Sequence, residues 1–189
     1  RDLEVHDNDL ALATHGRGFW VLDDISPLRQ ITPATAQSAA VLFKPSDALA
    51  VVQGDDNGTP WQKDEPQAEN APVGAAIDYF VRAPNGLVRV EILDDAGRVV
   101  RTVSSDDPPP APLPPQNVSV LWRPRPNVLS GEPGAHRWVW DLRPTPLPAV
   151  GRGGRRPVPM LTGTFTVRLT ANGQSYTQPL VVKNDPRTH

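Results

Sequence analysis

The sequence has no cysteine, so neither disulfide staples nor thiolate metal sites are open to it. Long apolar runs are missing too, and none approaches the ~20 residues that a helix needs to cross a bilayer. Charge of one sign is also scarce. With a formal net charge of −2 over 189 residues, no global field draws the chain to nucleic acid or to an acidic membrane surface. The chain opens on Arg1, Asp2 and Leu3, without an initiating methionine or a signal segment. Because strand-like alternation begins at once, the expectation is a fragment whose targeting signal lies upstream.

Proline is plentiful instead: 23 residues, with 14 glycines beside them. Such punctuation argues against long helices and for short strands joined by ordered loops. Hydrophobic residues make up 38% and charged residues 21%, a balance that permits one packed core plus an appendage.

Three short strands are predicted at the start, in "LEVH", "NDLALAT" and "FWVLD". Leu10 and Leu12 alternate with Ala11 and Ala13, and Phe19 and Val21 with Trp20 and Leu22; the "HGRG" between the last two strands reads as a hairpin turn. Ser26-Pro27 and Thr32-Pro33 each read as the cap and first residue of a single-turn helix. The stretch "AAVLFKPSDALAVV" reads as strand broken at Pro45. Residues 53–74 lack periodicity and read as an extended loop. Further on, "AAIDYFV", "LVRVEIL", "RVVRTV", "NVSVLW" and "AHRWVWDLR" read as strands, and Pro108 to Pro115 as polyproline II. "GTFTVRLT" and "SYTQPLVVK" flank Asn172-Gly173, the strongest short-range turn signal in the chain. Six or seven strands with almost no helix predict an all-β fold, a β-sandwich.

Several stretches invite a chemical reading. His15 with Asp23 and Asp24 suggests a histidine–carboxylate dyad, but nothing supplies a nucleophile or a third ligand, so Gly16 and Gly18 point to a plain turn. "QGDDNG" approaches a calcium loop through Asp55, Asn57 and Gly58; Gln53 stands where the first acid belongs, Asp64 where a glutamate is needed, and Pro60 interrupts. "GRGGRR" has no interleaved aromatic and reads as a solvated loop. The "NGT" and "NVS" sequons carry meaning only in a eukaryotic secretory route. No catalytic residue, metal ligand or cofactor is expected. Trp61 lies in a polar, proline-flanked segment, where it either plugs the end of a sandwich or offers a stacking face to a sugar. Trp61 and Trp122 are the candidates for carbohydrate binding.

"DLEVH", "NDLALATHGRG" and "FWVLDDISPL" resemble the last blade of bacterial sortilin-like or Asp-box β-propellers, often labelled glycosyl-hydrolase-like. Asp24 falls at the place of the box aspartate, while the serine, glycine and tryptophan of the motif are absent. "VRVEILDDAGRVVRT", "HRWVWDLR" and "TGTFTVRLTANGQSYTQPLVVKNDP" are similar to the immunoglobulin-like sandwich that follows such propellers, of fibronectin type III or flagellar hook-capping kind. The resemblance implies blade strands at 1–25, a linker with short helical turns and a long loop at 26–72, and an immunoglobulin/fibronectin-like sandwich at 73–189. It further implies a non-catalytic accessory module in a secreted or periplasmic protein, whose partner is the upstream β-propeller of the same polypeptide. The rival readings are a carbohydrate-binding module with polysaccharide as partner, and a piece of a glycoside hydrolase whose carboxylates lie upstream. One blade cannot assemble a site that several blades supply.

Overall fold

The computed structural model describes residues 2–52, 73–83, 86–108, 126–145 and 159–187. Within them the chain is all-β apart from two helical turns. Trp61 and Trp122, the calcium-like stretch, both sequons, "NVSVLW" and "GRGGRR" lie outside the described residues.

The opening three strands form as the alternation predicts. β1 (Asp2–His6), β2 (Asp9–Ala13) and β3 (Phe19–Leu22) make an antiparallel meander in the order β1-β2-β3. The β2–β3 turn uses positive φ at Gly16 and Gly18, and the Thr14 hydroxyl donates to the Gly18 carbonyl at 2.9 Å.

Two single-turn helices follow, α1 (Ser26–Arg29) and α2 (Pro33–Gln37). Thr32 caps α2 as expected, its hydroxyl accepting from the Thr35 N–H while the Thr35 side chain accepts from the Thr32 N–H. Ser26 does not cap α1; Ile25 occupies that position and no side chain caps the turn. The Leu28 N–H that a Ser26 cap would serve goes to the Ile25 carbonyl at 3.0 Å, and Ser26 itself is held by Asp24. Its carboxylate takes the Ser26 N–H at 3.1 Å, and the Ser26 hydroxyl is left to meet the Ser46 hydroxyl.

The remaining strands build two sheets. β4 (Ala40–Leu42), β6 (Ala75–Val81) and β9 (Gly134–Trp140) form one, in the order β4-β6-β9. β5 (Ala48–Ala50), β7 (Arg89–Leu93), β8 (Val99–Ser104), β10 (Gly163–Ala171) and β11 (Gln174–Asn184) form the other, in the order β5-β11-β10-β7-β8. The pair β5–β11 is parallel. Residues 40–50, which the resemblance places in a linker, thus supply a strand to each sheet, and Ala40, Leu42, Ala48 and Ala50 are buried.

Alternation sets which face each sheet buries. Ile77, Tyr79 and Val81 on β6, Trp138 and Trp140 on β9, Val90 and Ile92 on β7, and Phe165, Val167 and Leu169 on β10 belong to one core cluster. The two sheets therefore share one hydrophobic interior. Asn172 and Gly173 both take positive φ, 53° and 74°, and close the β10–β11 hairpin in the manner of a type I′ turn. The opposite faces carry charge pairs between facing residues. Arg137 meets Asp78 and Arg168 meets Glu91, each at 2.8 Å.

Three of the outer strands of these two sheets, β8, β9 and β4, carry covering hydrogen bonds. The backbone N–H of Thr145 donates to the Val100 carbonyl on β8, and the Thr102 N–H donates to the Thr145 hydroxyl. On β9, the Asn127 side chain clasps both the N–H and the carbonyl of Val139. The Leu42 carbonyl of β4 accepts from the Gln178 side chain at 3.2 Å.

Candidate functional site

The exposed surface of the β1–β3 sheet is the most conspicuous unsatisfied feature of the molecule. Facing residues across an antiparallel ladder lie on the same side. The registers Leu3↔Leu12↔Trp20 and Val5↔Leu10↔Leu22 therefore put six apolar side chains on one face. Asp2, Glu4, His6 and Asp9 share the other face with Ala11, Ala13, Phe19 and Val21. A sheet with one apolar and one mixed face is built to pack on something. Yet Leu3 is 59% exposed, Val5 51% and Leu22 52%, and none of the six is buried. Among the described residues, no hydrogen bond from another element covers the outer edge of β1 or of β3 within the strands; on β1 the Leu3 N–H donates to the adjoining Asp2 carboxylate at 2.9 Å.

At its far end the sheet is fastened down. Among the described residues, the hydrogen bonds that leave residues 2–22 are donated by the Asp24 N–H to the Asp9 carboxylate, by the Ile25 N–H to the Asn8 carbonyl, and by the Arg29 guanidinium to the Asp7 carbonyl. Asp24 takes φ 52°, unusual for a non-glycine residue. Its carboxylate accepts from the Ser26 N–H and the Ser46 hydroxyl, both at 3.1 Å. Arg137 then binds this corner from the β4-β6-β9 sheet, donating to the Asp23 carbonyl at 3.0 Å and to the Asp24 carbonyl at 2.9 Å. The same guanidinium grips Asp78 through both carboxylate oxygens, at 2.8 and 3.1 Å.

The electrostatics follow from burial and pairing. Burial pushes the Asp78 carboxyl above its ordinary value, outweighing the opposing effect of Arg137, and the nearby Asp24 charge pushes the same way. Burial also works against the Arg137 charge, but the carboxylates of Asp78, Asp24 and Asp23 overcome it and raise its pKa. Arg137 is therefore a permanently charged fork.

Two grooves flank the corner, each of about 260 Å³. One is apolar, walled by Leu22, Ile25, Leu28, Ile31 and Phe43, with Arg137 at its rim. The other is acidic, with Asp9, Asp23, Asp24 and Asp47. Three of these carboxylates already hold partners in the chain: Asp9 and Asp24 as above, and Asp47 in a 2.6 Å ion pair with Lys183. Among the described residues, no cluster of three or more His, Cys, Asp or Glu is arranged to hold a metal ion, and no helix is long and apolar enough to cross a membrane.

The arrangement keeps His15 apart from Asp23 and Asp24. His15 is exposed in the β2–β3 turn, whereas the aspartates sit beyond the opposite end of β3. At a rise of ~3.3 Å per residue, the four residues of β3 alone span ~13 Å. The dyad does not form. Trp138 and Trp140 are buried, so β9 offers no sugar-stacking platform. Arg137 is the residue that sequence reasoning missed as a site, since it reads there only as one charge on a solvent face of "AHRWVWDLR".

No family model, curated protein or solved structure matches the chain.

Proposed function

We propose that the chain is a non-catalytic structural module: an immunoglobulin/fibronectin-like β-sandwich that carries the final strands of a β-propeller and terminates that propeller within a glycosyl-hydrolase-like polypeptide of secreted or periplasmic proteins. The observation that carries this reading is the apolar face of Leu3, Val5, Leu10, Leu12, Trp20 and Leu22, exposed on a sheet that has no core of its own. Apolar surface of this kind is stabilised by leaving water, and a contiguous exposed patch marks an interaction face. The upstream propeller of the same polypeptide is the neighbour proposed here. A module of this kind needs no reacting group, in keeping with carboxylates already engaged by backbone, serine and lysine partners.

Hydrogen exchange tests the reading. The amides of β1 and β3 are compared in this chain and in the natural polypeptide that includes its upstream sequence. Edge amides that exchange rapidly in the chain and become protected in the longer polypeptide support the proposal. Equal exchange in both, or hydrolysis of aryl glycosides by the chain alone, overturns it.

A further inference from the structure

The junction between the β1–β3 sheet and the two-sheet body is narrow, and the cation that the body contributes to it is Arg137. Residues 23–30 carry the connection. Their hydrogen bonds to the body are those of Asp24 and Ser26 with Ser46, of Gln30 with the backbone of Lys44, and of Arg137 with the Asp23 and Asp24 carbonyls. The first two sets fasten α1 and its approach. From the body, Arg137 reaches the carbonyls of the peptide units at which the chain leaves β3, while Asp9 and Asn8 of the sheet accept from the N–H groups of the same units.

We propose that Arg137 is a latch that fixes the pose of the β1–β3 sheet on the body, by clamping the Asp23 and Asp24 carbonyls against the Asp78 carboxylate. The geometry is that of a guanidinium and of no other side chain. Nε and one Nη grip Asp78 on the neighbouring strand, while the two Nη groups reach two successive carbonyls. A lysine ammonium is a point charge without this planar fork. The positive φ of Asp24 turns the chain sharply where the clamp acts, so the hinge and the lock coincide at one corner. Element-terminal residues that absorb a large change in φ and ψ are where hinges form.

Arg137 stands on the outer face of the β4-β6-β9 sheet, and the core side chains Trp138 and Trp140 neighbour it in sequence but point inward. Removing it therefore leaves the core intact. The ties of α1 to Ser46 and Lys44 also remain. Without the clamp, the apolar face of β1–β3 no longer points in one direction. This inference rests on the joint alone and is independent of what covers the apolar face.

The absence of cysteine makes the test clean. Glu4→Cys on β1 and Thr177→Cys on β11, both at exposed positions, take spin labels for pulsed dipolar distance measurement. The doubly labelled chain should give one narrow distance distribution. Adding Arg137→Ala should broaden it, and Arg137→Lys should fail to restore it, while tryptophan fluorescence reports an unchanged melting midpoint of the body. A distribution that stays narrow in Arg137→Ala, or full restoration by lysine, overturns the proposal. So does unfolding of the body in both variants, which would make the arginine a determinant of the fold rather than a latch.

Discussion

Trp140 on β9 and Phe165 on β10 meet edge to face, their ring centroids 5.1 Å apart and their planes at 77°. The two strands belong to different sheets, so this contact is where the sheets interlock. Trp140 is fully buried, and its indole N–H donates to the Arg143 carbonyl at 2.8 Å. Trp140→Ala should cost about 3–5 kcal/mol, a large share of the ~5–15 kcal/mol that holds an ordinary domain together. Urea unfolding followed by fluorescence measures it. A loss below ~0.5 kcal/mol, within the range of surface substitutions, would contradict the interlock.

Gly74 lies against the same tryptophan. It takes φ 140°, and a Cβ there would sit 2.2 Å from the Trp140 carbonyl oxygen. Backbone cannot yield as a flexible side-chain tip can. Gly74→Ala should destabilise by roughly 1–3 kcal/mol through strain at this φ, with a further cost from the clash. Thermal melts of the variant check it; an unchanged midpoint would contradict it.

Tyr79 makes two bonds with one residue: its hydroxyl donates to the Ser130 carbonyl at 2.7 Å and accepts from the Ser130 N–H at 3.0 Å. Burial pushes its pKa up to about 12. Tyr79→Phe keeps the ring but strands both Ser130 groups, at an expected cost of about 1–3 kcal/mol. In an alkaline titration the tyrosinate absorbance that rises at about pH 12 should vanish in this variant.

Asp78 gives a pH dependence whose sign is fixed by burial. Its folded pKa is raised above the ordinary 3.8, so the native state holds this proton more tightly than the unfolded chain does. The stability this confers is complete below the unfolded value and is lost as pH rises through the folded one. Relative to Asp78→Asn, the parent should therefore lose stability as pH climbs from below 4 through that interval. Denaturant curves across the acid range measure the difference, and a gap that widens in the opposite direction would refute the assignment.

Legibility in the sequence followed the range of the interactions involved. The Asn172-Gly173 hairpin, the Thr32 cap and the buried faces of "AHRWVWDLR" and "GTFTVRLT" were readable because turn chemistry and period-2 alternation act over a few residues. The Ser26 cap was misread because the helical turn starts one residue earlier, with the Ile25 carbonyl taking the Leu28 N–H. Arg137 could not be found this way. Its partners lie 59 and 113 or 114 positions away, and two of them are backbone carbonyls, which carry no residue-type signal. Likewise, alternation put Leu10 with Leu12 and Trp20 with Leu22, but only the register joins the two pairs on one face, and alternation could not say that nothing in the described body would cover it.

The treatment of strand edges has a consequence for the behaviour of concentrated solutions. Thr145, Asn127 and Gln178 occupy the hydrogen-bonding positions of β8, β9 and β4, so no foreign strand can be added there without first displacing them. β1 and β3 lack such guards among the described residues, and exposed edges template intermolecular pairing. Among the described residues, β5 is also an outer strand without such a guard, but it is only three residues long, and short edges pair poorly; a purified sample that clouds or gels on storage should therefore do so chiefly through β1 and β3. Lysine at Val21 on β3, where it would add charge beside an open edge, should delay clouding without shifting the melting midpoint of the body.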